Sequence, residues 1–148
     1  MRASCRVAIA LVALLVSSPL SPGAAETDAQ VEARKVALDL AGAFSNEGFK
    51  LRDGHWSGPI KRGEQTLVAV NLYAGNQYWF SVGASPAAKK FSVRIYDENG
   101  RPLESDSFAE EERAAAGFSP NLSGQYFIGI APEEGSANTT YCLVYSYK

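Results

Sequence analysis

His55 is the only histidine in the chain, and Cys5 and Cys142 are its only thiols. Nucleophilic catalysis needs a base beside a serine or cysteine, so any such scheme would have to run through His55. No G-x-S-x-G turn presents a serine. His55 itself lies in the glycine-flanked run Asp53-Gly54-His55-Trp56-Ser57-Gly58, which reads as a loop. A zinc site would need His55, one cysteine and two carboxylates, and neither H-E-x-x-H nor C-x-x-C spacing occurs. Neither G-x-x-x-x-G-K-[ST] nor G-x-G-x-x-G is present to cradle phosphates. The reading is therefore of a protein that is not an enzyme and has no cofactor.

Oxygen ligands gather in one place. Asp97, Glu98 and Asn99 share a single turn, and Glu104 and Asp106 can face them across a hairpin. Calcium takes six to eight oxygens from such loops, which makes Asp97, Glu98 and Asn99 weak calcium candidates. The turn lacks EF-hand spacing, and its Asn99-Gly100 pair is equally a hairpin turn that needs polar flanks. No metal is expected.

Aromatic side chains are the larger surplus. Trp56, Trp79 and Tyr96 are the candidate binding residues, because exposed rings on a sheet stack on sugars or anchor a protein partner. Trp79 has a second possible fate, to be covered by an apolar helix. Tyr145 and Tyr147 share a face near the C-terminus.

These side chains must be positioned by regular elements. Thr27 to Phe44 reads as a helix, with Val31, Val36, Leu38, Leu40, Ala41 and Phe44 able to share one face. Thr27 or Asp28 can cap it, and Asn46 and Gly48 can stop it. The hydrophobic period then changes to two. Gln65–Tyr73 sets Val68, Val70 and Leu72 against Leu67, Ala69, Asn71 and Tyr73. Gln77–Val82 sets Tyr78, Phe80 and Val82 against Trp79 and Ser81. Phe91–Tyr96 sets Phe91, Val93 and Ile95 against Ser92, Arg94 and Tyr96. Pro102–Ser107 reads as a short return strand, Arg113–Ser119 as a weaker strand, and Gly124–Ala131 and Thr140–Tyr147 as strands. Seven or eight strands with turns between them predict an all-β fold, an antiparallel jelly-roll-like β-sandwich with one N-terminal α-helix.

The first 25 residues read as a cleaved export signal. Arg2 and Arg6 precede the ten-residue apolar run Val7–Val16, and Gly23 and Ala25 suit a signal-peptidase site. Ten apolar residues are too few to span the roughly 30 Å of hydrocarbon, so no membrane span is expected after cleavage. The expected divisions are residues 1–25 as signal, 26–48 as helix and 49–148 as sandwich, in a periplasmic or secreted protein. Cleavage takes two of 14 Lys+Arg and none of 16 Asp+Glu, so the formal charge moves from −2 to −4. That mild acidity argues against nucleic acid. Cys142 is then alone, either buried in the run YCLVY or paired between molecules.

Three segments carry a resemblance: Leu72-Tyr73-Ala74-Gly75-Asn76-Gln77-Tyr78-Trp79-Phe80, Val93-Arg94-Ile95-Tyr96-Asp97-Glu98-Asn99-Gly100 and Ser119-Pro120-Asn121-Leu122-Ser123-Gly124-Gln125-Tyr126-Phe127-Ile128. In this order they resemble the bacterial pre-peptidase C-terminal (PPC) domain over residues 56–148. Such domains are small exported jelly-roll-like sandwiches beside proteases and other exported enzymes. The resemblance implies a fold without catalysis, and the chain reads as a free-standing exported binding or interaction module whose partner, protein or polysaccharide, is unknown. A carbohydrate-binding accessory protein, using Trp56, Trp79 and Tyr96 on a polysaccharide, is the alternative.

Overall fold

The computed structural model describes residues 24–86 and 88–148. The export signal expected over 1–25 thus lies almost wholly outside the described residues. No described helix is long and apolar enough to cross a membrane.

Thr27 opens the one helix among the described residues, α1 (Asp28–Ser45), with a reciprocal cap. Its hydroxyl accepts from the Gln30 N–H at 3.2 Å, and the Gln30 side chain accepts from the Thr27 N–H at 2.8 Å, so two orphan donors are satisfied at once. Ten strands follow. They are β1 (Lys50–Leu51), β2 (Trp56–Lys61), β3 (Thr66–Leu72), β4 (Tyr78–Ser85), β5 (Ala88–Tyr96), β6 (Pro102–Leu103), β7 (Asp106–Glu110), β8 (Arg113–Phe118), β9 (Gly124–Gly135) and β10 (Asn138–Tyr147). All pairings are antiparallel. One sheet runs β1-β10-β4-β8-β7, with β2 also along β10. The other runs β3-β9-β5-β6. From β2 to β5 the chain changes sheet at every strand, which is the winding of a jelly roll. The molecule is an all-β sandwich with one helix.

The period-two patterns set the inner faces as expected. Val68, Val70, Leu72, Tyr78, Phe80, Val82, Phe91, Val93, Ile95, Tyr126, Ile128 and Ile130 fill the space between the sheets. Three expectations need correction. The stretch from Pro102 to Ser107 is not one return strand. β6 pairs only at Leu103 and Pro102, and Glu104-Ser105 then carries the chain to the opposite sheet, where β7 pairs β8. The loop expected over Asp53–Gly58 is entered by β2 from Trp56, and β1 precedes it. Both pair with β10, whose ten residues are long enough to hold them end to end.

The third correction concerns the helix. Its buried stripe is Ala33, Ala37, Leu40 and Ala41, while Val31 and Leu38 stay exposed. Small residues win because the helix lies almost on the backbone of β4. A Cβ at Gly83 would stand 2.3 Å from the Ala33 carbonyl oxygen and 2.6 Å from the Ala37 nitrogen. Ala33, Ala37 and Ala41 close over Cys142 and Val144 of β10, forming a second, separate core.

Candidate functional site

β10 turns Tyr141, Leu143 and Tyr145 inward and Cys142 and Val144 toward α1. The inner row ends at Tyr147, which is partly exposed. There one side of the sandwich opens into a groove. Its floor is Tyr145 and Tyr78, and one wall is Trp56 at the start of β2 with Arg52 just before it. The other wall is the outermost strand β3, from Ala69 to Asn71, with Tyr73 and Asn76 of the following turn. Two adjoining hollows, of about 350 and 460 Å³, share Arg52, Asn71, Tyr73 and Tyr145.

The rings are ordered. Trp56 lies nearly parallel to Tyr145, with centroids 6.0 Å apart and planes 14° apart. The Arg52 guanidinium sits 5.2 Å from the Tyr145 centroid and 6.0 Å from that of Trp56, within cation–π range of both. Backbone structure holds this arrangement: the Arg52 N–H donates to the Tyr145 carbonyl at 3.0 Å, extending the β1–β10 ladder. Tyr73 is 64% exposed, so an apolar ring stands at the rim.

The polar groups of the groove are the Arg52 guanidinium, the Asn71 and Asn76 side-chain amides and tyrosine hydroxyls. The Tyr78 hydroxyl accepts from the Tyr73 N–H at 3.0 Å and from the Asn76 amide at 3.1 Å. Both its lone pairs are thus engaged, and its own proton remains to be given. Burial raises the pKa of Tyr145, Arg52 partly offsets this, and the nearby Tyr78, Tyr73 and Tyr147 raise it further. That hydroxyl stays protonated at neutral pH. No Asp or Glu lines either hollow.

Of the three candidate aromatics, only Trp56 reaches this groove. It belongs to a strand, not to the loop expected around His55. Trp79 is on the helix side of β4, not on an open face. Its ring stacks on Phe44 of α1, with centroids 4.3 Å apart and planes 8° apart, and lies over Gly117, where a Cβ would come within 2.9 Å. Tyr96 is half-buried on the outer face of the β3-β9-β5-β6 sheet. Its hydroxyl accepts from the Gln65 amide at 2.9 Å, and its ring crosses Gly129. The three rings form no common surface.

Asp97 serves its turn. One carboxylate oxygen accepts from the N–H groups of Asn99 and Arg101, both at 2.9 Å, and Gly100 closes the turn with φ +77°. Asp97, Glu104 and Asp106 together line a cleft of about 860 Å³, with Leu103, Phe118 and Tyr126. Among the described residues, no three His, Cys, Asp or Glu side chains are placed to hold a metal ion.

The structure does bring His55 and Cys142 toward one corner. The His55 Nε2 lies 3.5 Å from Glu26, which also pairs with Arg34. Glu26 and Arg34 both act on the Cys142 thiol. That thiol is fully buried, and desolvation, opposed by Arg34, pushes its pKa up to about 11. At neutral pH roughly one molecule in ten thousand would carry the thiolate, the reverse of an activated nucleophile.

Sequence reasoning passed over Arg52, Asn71, Tyr73, Asn76 and Tyr78 as groove residues. Their meeting depends on β10 crossing from β1 to β4, which no local pattern announces. The fold and groove define an all-β sandwich with an aromatic, donor-rich cleft. Comparison with family models, with curated proteins and with solved structures finds no match for this chain.

Proposed function

We propose that the chain is an exported, non-catalytic binding module of PPC-like type, and that it holds a saccharide in the Arg52–Trp56 groove. One observation carries the reading: the near-parallel Trp56 and Tyr145 rings, flanked by the rim tyrosines Tyr73 and Tyr147 and by the amides of Asn71 and Asn76. Rings offer apolar faces to the C–H side of a sugar, while amides and hydroxyls meet its equatorial oxygens. The apolar run Val7–Val16 behind Arg2 and Arg6 supports export.

The test is affinity electrophoresis of residues 26–148 through gels containing different polysaccharides. Trp56→Ala is expected to lose retention by about tenfold in affinity, in the range of an interface hot spot. Trp79→Ala serves as a comparison outside the groove. Free migration of the wild-type protein in every gel would overturn the saccharide reading. A second reading then gains ground, because the groove runs along the outermost strand β3. An extended peptide of a protein partner could add to that edge.

A further inference from the structure

We infer that the groove selects an anionic saccharide, one that carries a carboxylate or sulfate on the ring, with Arg52 as the specificity-determining residue. The inference rests on the saccharide reading above and names the chemistry of its ligand.

The argument is a balance of donors and acceptors. Arg52 brings a guanidinium with five N–H donors, always charged. Its one hydrogen bond from the side chain goes to the Asp53 backbone carbonyl, at a long 3.4 Å. Among the described residues no carboxylate lies within ion-pair distance of it. Arg34, Lys90, Arg101 and Arg113 pair with acids, whereas Arg52, like Arg62 and Arg94, does not. Arg52 instead lies across two aromatic faces in a hollow lined by no acid. The remaining proton of Tyr78 and the amide hydrogens of Asn76 add donors in the same place. A neutral sugar presents hydroxyls that donate and accept alike. It would leave the fork of Arg52 paired only with water. A carboxylate or sulfate accepts without donating and matches a donor-rich wall.

The whole molecule opposes this choice only weakly. A formal charge of −4 on the chain without its signal repels a polyanion, but at physiological salt that repulsion is screened beyond about 8 Å. The contact at Arg52 is shorter-ranged and decides selectivity.

Calorimetric titration at about 0.15 M salt would compare residues 26–148 with three oligosaccharides of equal length: a neutral one, a uronate and a sulfated one. The anionic ligands are expected to bind at least tenfold more tightly than the neutral one. Arg52→Gln should erase that difference, and Arg52→Lys should restore part of it. The backbone N–H of residue 52 keeps its bond to Tyr145 in both variants, and near-UV circular dichroism would verify the fold. A preference for the uronate over the sulfate, or the reverse, identifies the source of the anion. Equal affinity for neutral and anionic ligands, unmoved by Arg52→Gln, overturns the inference but leaves the saccharide reading standing. No binding of any of the three overturns both.

Discussion

Cys142 sits beneath Ala33, Ala37 and Ala41 with no measurable exposure, and its pKa of about 11 stands above the ordinary thiol value of 9.0. Tyr141 and Tyr145 are raised in the same direction, each by burial first. A raised pKa for groups that become anionic means the folded state holds their protons more tightly. Their stabilisation is complete below the unfolded pKa values and is lost as pH climbs through the folded ones. Stability should therefore be flat between pH 7 and about 8.5 and fall by roughly 2 kcal/mol between pH 9 and 11. Urea titrations across that range would check it, and Cys142→Ala should flatten the lower part of the decline. A decline that is unchanged in Cys142→Ala would remove the thiol from the account. At this scale the sequence was partly legible. The run YCLVY announced a buried cysteine, because an alternating apolar strand with apolar neighbours has little else to do. Arg52 was not legible: one arginine before Asp53-Gly54 carries no signal until β10 brings Tyr145 beneath it. Trp79 had two readings in the sequence, and Phe44 decided between them.

At the scale of elements, Gly83 governs how α1 meets the sheet. The inward pattern of β4 was plain from Tyr78, Phe80 and Val82, set against Trp79 and Ser81, but Gly83 lay beyond that pattern. Gly83 is the floor on which the alanine stripe lies. Gly83→Ala should force the helix off that floor, since the new methyl would meet backbone atoms of residues 33 and 37 rather than a side chain that can swing away. Overpacking of this kind costs about 3 kcal/mol, which corresponds to a fall in Tm of roughly 10 °C for a chain of this size. Thermal unfolding followed by circular dichroism reads it directly, and a shift below 2 °C would show that the helix yields freely. The three segments of the PPC-like resemblance also act at this scale, through their turns. The Ser123 hydroxyl accepts from the Ala74 N–H at 2.9 Å, Tyr126 donates to the Leu122 carbonyl at 2.6 Å, and Asp97 binds its own turn. Each fixes where a strand begins. That is why they were visible in sequence: turn chemistry is local, whereas the crossing of β6 into β7 depends on a partner strand ten residues away.

For the molecule as a whole, the helix expected within residues 26–48 and the sandwich expected over 49–148 pack against each other. α1 forms a third layer over the sheet that contains β4, β8 and β10, and three of the five residues of the second core belong to it. A chain of residues 49–148 alone would expose Cys142, Val144 and Trp79 to water, together with the backbone at Gly83. Such a face, several apolar side chains wide and flat, favours association over a stable monomer. Cys142 then becomes the reporter. In residues 26–148 its thiol should react with a disulfide reagent only as fast as the protein opens, because it is both inaccessible and protonated. In residues 49–148 the same thiol should react at least a hundredfold faster, and the protein should sediment as an oligomer. Equal reactivity in the two chains would mean that α1 is an ornament on an independent sandwich. The predicted contrast would place the helix within the folding unit. The groove would then depend on it indirectly: β10 carries the thiol on one face and Tyr145 on the other, so whatever holds the outer face of that strand also sets the ring under Arg52.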